Sequence, residues 1–527
     1  MAGNQTKQSE LVASLLKPQA YPHPVGHLEL LETHISWVIL TGTYAYKIKK
    51  SLKLDFLDFS SLRQRRHYCE EELRLNRRMA PQLYLDVVPI CGSEKHPHVG
   101  GEGRAIEYAV KMHQFRQSAQ LDKQLDAGLL NENDMCDLAE TIAAYHHDAV
   151  VVDFSDDQDV MLGISTPQLD NFPPINSVTE LRTTHHVQKW TTQSLRGLES
   201  ALIDRHKNGF VRECHGDLHL ANLVRLASGI VAFDCVEFSP ALRRIDVISD
   251  VAFLAMDLVA CARQDLAQIF VNRYLECTGD YSGMSVFGLY FVYHSMIRAK
   301  IAAVRSGERQ EAEGRAEDIA QLKHYLAVAI RWVKRPLPVL VGMHGFSGSG
   351  KTWLATQLMS ELPAVRIRSD IERKRLLGLD ETASSESRPG RGAYTDAAKA
   401  NVYVAMMEII DGLLGAGYNV IADASFLLYT DRQTLEALAD RRDVTLVWVD
   451  VDAGNDVLAQ RLRNRTLARD DASEADTAVL NYQRKHADPL TAAEREHTVF
   501  VLTDRQVDPG AIVRSIRTLQ LLSTSQN

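Results

Sequence analysis

Two patterns of hydrophobic and polar positions divide the chain near residue 335. Before this point, alternating segments around Trp37–Leu40 and Tyr44–Ile48 predict a β-hairpin with its turn at Thr41-Gly42-Thr43, and helical patterns dominate further on. After it, short apolar segments alternate with helical stretches, which is typical of a parallel sheet covered by helices. Those apolar segments lie near residues 338–343, 364–368, 418–423 and 444–451.

The transition is marked by two prolines in the stretch RWVKRPLPVLVGMHG, which separate a charged helical pattern from an apolar strand. A chain of 527 residues is also long for one hydrophobic core, because a domain holds about 150 residues. We therefore predict a first domain at residues 1–335 and a second domain at residues 336–527.

Composition narrows the classes of function. Hydrophobic residues make up 45% of the chain and charged residues 24%, which is typical of a globular protein. The net charge of −9 supplies no general basic surface for nucleic acid or anionic lipid. The chain has no apolar run of about 18 residues, and its seven cysteines form no CxxC pair. We expect a cytoplasmic protein with reduced thiols and no membrane span.

The second domain begins with a glycine-rich segment of the form GxxxxGK[ST] directly after an apolar strand. Glycines let the backbone fold closely around phosphates, and amides at the start of the next helix donate hydrogen bonds to them. Lys351 can reach the outer phosphates, and Thr352 can bind Mg²⁺. A chance glycine-rich turn is the alternative, but strand, loop, Lys-Thr pair and helix occur here in order. The predicted nucleotide-binding residues are Gly345, Ser347, Gly348, Ser349, Gly350, Lys351 and Thr352.

Two carboxylates follow later strands of this domain. Asp370 comes just after the second strand, where it can accept a proton from a substrate hydroxyl, although the helix dipole alone also favours an acid in a first helical turn. Asp423 ends the third strand, as expected for a residue that organises Mg²⁺. Three arginines at helical spacing fit either a solvated helix face or a lid over the transferred phosphate. They are Arg461, Arg465 and Arg469.

The first domain contains the sequence HGDLHLAN at residues 215–222, followed by an apolar strand that ends at Asp234. In a kinase-type site a loop aspartate deprotonates the acceptor hydroxyl, while an asparagine five residues on and a strand-terminal aspartate hold Mg²⁺. This spacing assigns these roles to Asp217, Asn222 and Asp234. A polar turn with capping carboxylates is the alternative.

A kinase-type site also needs a lysine for the ATP phosphates and a glutamate that orients this lysine. Lys47 and Lys49 share one face of a predicted strand, because side chains alternate with period two, and we favour Lys47. An ordinary edge-strand charge is the alternative. Glu72 lies on the apolar face of the predicted helix SLRQRRHYCEEELRLNRR and is the preferred partner.

The HGDxHxxN motif with its strand-terminal aspartate resembles the aminoglycoside phosphotransferase family over about residues 30–330. The glycine-rich loop, the two carboxylates and the arginines resemble P-loop kinases of the zeta-toxin-like, AAA type over residues 336–527. The whole chain is similar to a bacterial family of fused aminoglycoside phosphotransferase-like and P-loop ATP-binding kinases. This resemblance implies an α+β, bilobal protein-kinase-like domain followed by an α/β P-loop NTPase domain, with ATP and Mg²⁺ at both sites.

We therefore expect an ATP-dependent phosphotransferase with two sites, each of which transfers the γ-phosphate to a hydroxyl group of a small molecule or a nucleotide-like acceptor. P-loop relatives also act on nucleic-acid ends, so nucleic acid is an alternative acceptor of the second domain. A nucleotide-sensing regulator and a toxin-like kinase controlled by its companion domain are the alternative functions. The fold is reused for several hydroxyl compounds and does not by itself make an aminoglycoside the substrate.

Overall fold

The computed structural model describes residues 2–54, 57–153, 156–381, 383, 396–468, 473 and 475–524. Packing divides the chain into two compact units. The first comprises Met1–Asn171 with Glu199–Asp257, and the second comprises Phe172–Leu198 with Leu258–Asn527. Each of these units consists of two separate segments of the sequence. The single domain boundary near Arg335 stays a prediction. In the described ranges, no helix has both the length and the apolar character that crossing a membrane requires.

The described ranges contain both helices and strands throughout. The helices are α1 (Ala2–Leu15), α2 (Leu62–Asn76), α3 (Leu121–Asp126), α4 (Glu132–Asp148), α5 (Asp157–Leu169), α6 (Phe172–Asn176), α7 (Leu181–Gly197), α8 (Glu199–Lys207), α9 (Pro240–Arg243), α10 (Val247–Ala260), α11 (Gln264–Thr278), α12 (Met284–Glu308), α13 (Ala312–Val333), α14 (Lys351–Glu361), α15 (Ser369–Leu376), α16 (Asp396–Gly415), α17 (Tyr429–Arg442), α18 (Asn455–Ala468), α19 (Thr477–His486), α20 (Ala492–Glu496) and α21 (Pro509–Thr524). The strands are β1 (Glu29–Glu32), β2 (Ser36–Leu40), β3 (Tyr44–Lys49), β4 (Lys53–Leu54), β5 (Leu57–Asp58), β6 (Tyr84–Ser93), β7 (His96–Val99), β8 (Ala105–His113), β9 (Val211–Glu213), β10 (Leu223–Leu226), β11 (Gly229–Ala232), β12 (Arg244–Asp246), β13 (Val339–His344), β14 (Ala364–Arg368), β15 (Asn419–Asp423), β16 (Thr445–Asp452) and β17 (Thr498–Leu502).

The main sheet of the first unit is antiparallel and has the strand order β1-β2-β3-β8-β6-β7. The predicted hairpin is formed by β2 and β3, and Gly42 in its turn has a φ of 94°, a conformation that favours glycine. Tyr46 and Ile48 of β3 lie in an apolar cluster on one face of the sheet. Because side chains alternate along a strand, Lys47 and Lys49 point to the opposite face.

Helix α2 packs against β6 and β8 of this sheet. It begins at a capping box, in which Ser61 Oγ accepts a hydrogen bond from the Gln64 amide and the Gln64 side chain accepts one from the Ser61 amide, both at 3.2 Å. Cys69, Glu72 and Asn76 are buried on its inner face, and the position of Glu72 there agrees with the prediction.

The hairpin of β10 and β11 brings together residues that are distant in the motif. Leu223 pairs with Ala232, so Asn222 immediately precedes the hairpin and Asp234 closely follows it. The Phe233 amide donates a hydrogen bond of 2.9 Å to the Asn222 carbonyl. The two predicted metal ligands therefore stand at the open end of one hairpin.

The second unit contains a parallel sheet with the order β14-β15-β13-β16-β17. The four apolar segments found in the sequence correspond to β13, β14, β15 and β16, whereas β17 was not predicted. The central strands are buried on both faces, in a core that contains Val341, Ile421 and Val449 and is packed against α14 and α21. The predicted fold class, an α+β kinase-like fold and an α/β fold with a parallel sheet, is confirmed.

Helix α11 lies along β14, an edge strand of the parallel sheet. Asn272 donates a hydrogen bond of 3.0 Å to the Ala364 carbonyl and accepts one of 2.7 Å from the Arg366 amide. Ile269 packs against the apolar core of the sheet. Backbone groups on an edge strand otherwise lack partners in the sheet, so this helix covers the edge.

Candidate active sites

The first candidate site is built around a buried glutamate and two lysines. Lys47 Nζ lies 2.9 Å from Oε1 of Glu72, and Lys49 Nζ lies 2.7 Å from Oε2 of the same carboxylate. Burial would raise the pKa of Glu72, but the two lysines outweigh it and hold the pKa below its ordinary value. The structure therefore brings the predicted pair Lys47 and Glu72 together and adds Lys49 as a second partner of the glutamate.

Lys47 also forms an ion pair with Asp234. Burial alone would lower the pKa of Lys47, but the charges of Asp234 and Glu72 raise it well above its ordinary value. Asp234 has a φ of 62°, which is uncommon for a residue other than glycine and recurs at functional sites. Its side chain remains 42% exposed, so a ligand can reach the carboxylate.

The loop between β9 and β10 holds Asp217 beside Asn222. Asn222 Nδ2 donates hydrogen bonds to Oδ2 of Asp217 at 2.9 Å and to the Asp217 carbonyl at 3.0 Å. Nε2 of His219 lies 3.4 Å from the same Asp217 oxygen. Since 42% of the Asp217 side chain is exposed, an acceptor hydroxyl can approach its carboxylate.

His215 orders this loop from the buried side. Its Nδ1 accepts a hydrogen bond of 3.3 Å from the Asp217 amide, so the proton lies on Nε2, which donates to the Phe233 carbonyl at 2.9 Å. Burial lowers the pKa of His215. The neutral ring is the form that this pair of hydrogen bonds requires.

Helix α10 supports the same loop through Asp250, which is fully buried. Its carboxylate accepts hydrogen bonds from the amides of His215 and Gly216 at 2.8 and 3.0 Å. Burial would raise the pKa of Asp250, but the nearby His146 and the loop amides outweigh it and lower the pKa. Gly216 has a φ of 84°, and a Cβ there would lie 2.5 Å from the Leu242 carbonyl oxygen, so this position requires glycine.

Glu237 also belongs to this site, although the motifs in the sequence did not predict it. The side chain is buried and forms an ion pair with Lys49, and burial raises its pKa. The only sequence signal was an acid three residues after Asp234. The ion pair between Lys49 and Glu237 connects strand β3 to the segment that carries Asp234. It also fixes the position of Lys49, which contacts Glu72.

The second candidate site is the loop between β13 and α14. Gly345, Gly348 and Gly350 have φ values of 137°, 85° and 96°, which favour glycine. A Cβ on Gly345 would lie 2.2 Å from the Val451 carbonyl oxygen. Ser349, a residue of the same loop, is fully buried, and its amide donates a hydrogen bond of 3.1 Å to the Phe346 carbonyl. The predicted phosphate loop thus has the tight backbone path that its glycines indicate.

Hydrogen bonds within the chain occupy two polar groups of this loop, the Lys351 ammonium group and the Ser347 amide. Lys351 Nζ donates hydrogen bonds of 2.9 Å to the carbonyls of Gly345 and Phe346. The amide of Ser347 donates one of 2.9 Å to Oε1 of Gln483 on helix α19. A phosphate group that enters the loop offers oxygens to the same amide and the same ammonium group.

Thr352 and Asp423 stand together at the ends of α14 and β15. Burial raises the pKa of the Asp423 carboxyl against the charges of Arg366, Arg368 and Lys351 and the influence of the nearby Thr352 hydroxyl. Oδ2 of Asp423 is buried and has no hydrogen-bond partner among the residues that the structure describes. A buried carboxylate oxygen without a partner beside a hydroxyl group fits a divalent cation, for which both are suitable ligands.

Asp370 lies in the first turn of α15, as predicted. It forms an ion pair with Arg373, three residues further along the helix. Burial would raise the pKa of Asp370, but Arg373 and Arg368 outweigh it and the pKa is lowered. The carboxylate is therefore ionised and able to accept a proton.

Arg461 contacts backbone carbonyl groups of the phosphate loop. It donates hydrogen bonds to the carbonyls of Gly348 and Ser349 at 3.3 and 3.2 Å, and to the Thr503 hydroxyl at 2.8 Å. These contacts brace the loop, a role that the predicted lid did not include. The side chain of Arg465 and the whole of Arg469 lie outside the described residues.

A cavity of about 920 Å³ opens in front of the phosphate loop. Its walls combine the loop with Asp370, Asp423 and cationic side chains on other elements of the second unit. The lining includes Ser347, Gly348, Gly350, Lys351, Thr352, Asp370, Arg373, Lys399, Tyr403, Asp423, Arg461, Tyr482 and Gln483. Eight of the residues predicted for the second site line this one space, which can hold a nucleotide and an acceptor, whereas Gly345 and Ser349 do not line it.

The chain therefore combines an antiparallel-sheet unit that carries the first candidate site with a parallel-sheet unit that carries a phosphate loop. Residues 340–490 match the model of the family described as an AAA domain, which confirms the predicted resemblance of the second domain. The uncharacterized protein Rv2004c of Mycobacterium tuberculosis is 29% identical over 489 residues, which cover 90% of this chain and 95% of that protein.

Solved structures with similarity to the chain include kinases of two kinds. A gluconokinase from Sinorhizobium meliloti is 21% identical, covers 36% of this chain and 97% of its own length, and has a TM-score of 0.26. A choline/ethanolamine kinase family protein from Mesorhizobium loti is 11% identical, covers 62% of this chain and 99% of its own length, and has a TM-score of 0.37.

Proposed function

We propose that the chain is an ATP-dependent phosphotransferase with two kinase-type sites, each of which transfers the γ-phosphate to a hydroxyl group of a small-molecule or nucleotide-like acceptor. One observation supports this proposal above the others. Each unit holds a cation for the phosphates, candidate ligands for Mg²⁺ and a carboxylate that can act as a base, so neither site lacks a part.

In the first site, Lys47 neutralises the ATP phosphates while Glu72 fixes its position. Asn222 and Asp234 would hold Mg²⁺, which would offset the negative charge of the phosphates. The oxygen of the acceptor hydroxyl forms a bond to the γ-phosphorus while the bond from this phosphorus to the ADP oxygen breaks. Asp217 accepts the proton that the hydroxyl loses. The hydrogen bond from Asn222 keeps this base next to the metal ligands.

In the second site, the amides of the phosphate loop and Lys351 bind the nucleotide, and Thr352 and Asp423 would hold Mg²⁺. Asp370 accepts the proton of the acceptor hydroxyl in the same reaction. Its ion pair with Arg373 keeps the carboxylate deprotonated before the acceptor arrives.

We place this activity in the cytoplasm. All seven cysteines belong to the described residues, and none of them forms a disulfide. Reduced thiols are typical of proteins in that compartment.

The test is transfer of labelled phosphate. The full chain is incubated with γ-labelled ATP and a metabolite extract, and the labelled products are separated. Asp217→Asn should remove one group of products and Asp370→Asn another, each by at least about 100-fold, because each removes one base. Substitution of the exposed Asp204 or Asp380 by Asn provides matched controls that should retain both groups.

Other outcomes would change the proposal. Nucleotide binding without labelled product in any extract would favour a nucleotide-sensing regulator. Label on added oligonucleotide ends, lost only with Asp370→Asn, would make nucleic acid the acceptor of the second site. Parental labelling by both variants would contradict the assignment of the two bases.

A further inference from the structure

Arg366 and Asp423 lie on neighbouring strands of the second unit and do not pair with each other. Arg366 on β14 is 8% exposed, and its Nε has no hydrogen-bond partner within the described ranges. Oδ2 of Asp423 on β15 is likewise buried without such a partner. Arg366 is in register with Ile421, two residues before Asp423, so the two side chains lie on the same face of adjacent strands.

Other contacts direct Arg366 away from this carboxylate. One terminal nitrogen of its guanidinium lies 2.7 Å from Oε1 of Glu276, and the other donates a hydrogen bond to the Thr356 hydroxyl. Only 2% of the Glu276 side chain is exposed. A buried ion pair that loses one partner leaves an uncompensated charge, which destabilises the site strongly.

Glu276 has further cationic neighbours. Its Oε2 lies 3.7 Å from Arg368 and 3.6 Å from Arg273. Burial would raise the pKa of Glu276, but the surrounding arginines lower it, so the carboxylate is charged. Glu276 therefore remains compensated even when the Arg366 side chain is replaced.

We propose that Glu276 is a positioning residue of the P-loop site, which holds Arg366 away from Asp423 and leaves the Asp423 carboxylate available to a divalent cation. This inference rests on the proposed function of Asp423 as a metal ligand. Without Glu276, Arg366 gains most by pairing with Asp423, and an arginine on that carboxylate excludes the cation. Glu276 lies on α11, ahead of the predicted boundary at Arg335, so a segment of the first predicted domain serves the second site.

The experiment measures how strongly Mg²⁺ improves binding of a non-hydrolysable ATP analogue. All variants are made in the full chain with Asn222→Ala and Asp234→Asn, so that Mg²⁺-dependent binding reports on the second site. Calorimetry gives the affinity with and without Mg²⁺, and the ratio of the two affinities is the readout. Glu276→Gln should lower this ratio about tenfold, as the loss of a residue that orients a metal ligand does.

Two further variants separate positioning from general damage. Arg366→Met should leave the ratio at the parental value, because the side chain at position 366 then has no charge that competes with Mg²⁺ for Asp423. The double variant Glu276→Gln, Arg366→Met should restore it. Glu381→Gln is the matched control and should retain the parental ratio, since Glu381, like Glu276, pairs with Arg273 and Arg368 but is not paired with Arg366 in the structure.

A parental ratio in Glu276→Gln, or a double variant as impaired as Glu276→Gln alone, would overturn the inference. Failure of the proposed function gives a different result. In that case the parental background itself shows no nucleotide binding that Lys351→Ala removes.

Discussion

Replacement of Asp250 by Asn tests how α10 holds the loop that carries Asp217. The carboxylate accepts one hydrogen bond from the His215 amide and one from the Gly216 amide, at 2.8 and 3.0 Å. Asn keeps one oxygen and turns an NH₂ group toward the other amide. One charge-assisted bond worth about 1.5–3 kcal/mol is lost, and one buried amide is left without a partner, which costs about 1–3 kcal/mol. With partial relaxation, the free energy of opening this loop should fall by about 3 kcal/mol.

Hydrogen exchange followed by mass spectrometry measures this opening directly. A decrease of about 3 kcal/mol corresponds to exchange that is on the order of 150-fold faster at the His215 and Gly216 amides. Asp257→Asn on the same helix is the matched control. Asp257 accepts a single bond of 3.0 Å from the Leu220 amide, which the Asn oxygen can still accept, so its effect should be below about tenfold. Unchanged exchange at both amides in Asp250→Asn would refute the assigned support.

Three further predictions concern the two sites. Lys351→Ala should reduce two nucleotide sites to one in calorimetric titration, and a parent with a single site that this change removes would contradict the two-site proposal. Gly345→Ala should abolish nucleotide binding at the second site, because its Cβ would lie 2.2 Å from a carbonyl oxygen, whereas Gly412→Ala meets no atom within 4 Å and should bind normally. His215 has a folded pKa below its ordinary 6.5, so its contribution to stability is complete above pH 6.5 and is lost as the pH falls through the folded value. The difference in Tm between the parent and His215→Asn should therefore shrink from pH 7 to pH 5, and a constant difference would contradict this reasoning.

Sequence spacing predicted those parts of the sites that are set by local geometry. Asp217 and Asn222 lie on one short loop, and Asn222 and Asp234 flank one hairpin, so their proximity follows from five- and twelve-residue separations. The same holds for the phosphate loop, where strand, glycines and helix follow in order. Period-two alternation also placed Lys47 and Lys49 on one face of β3.

Contacts between segments that are distant in the sequence could not be predicted from sequence spacing. Lys49 and Glu237 are separated by 188 positions, and neither residue alone has a motif that marks a buried pair. Arg461 lies on a helix with the predicted spacing, but its contacts with loop carbonyls depend on how α18 packs against the phosphate loop. Strand β17 was not predicted although its sequence, TVFVL, is a short apolar run, and its place in the sheet depends on pairing with β16.

The cover that α11 gives to β14 has an evolutionary consequence. A gene break at position 336 would remove Asn272 and leave the Ala364 carbonyl and the Arg366 amide as open pairing groups on an edge strand. Such a fragment would expose a template for self-association, whereas a fragment that begins before Gln264 would retain its cover. We therefore expect a gene break at the proline-marked boundary to be tolerated less well than a break before Gln264.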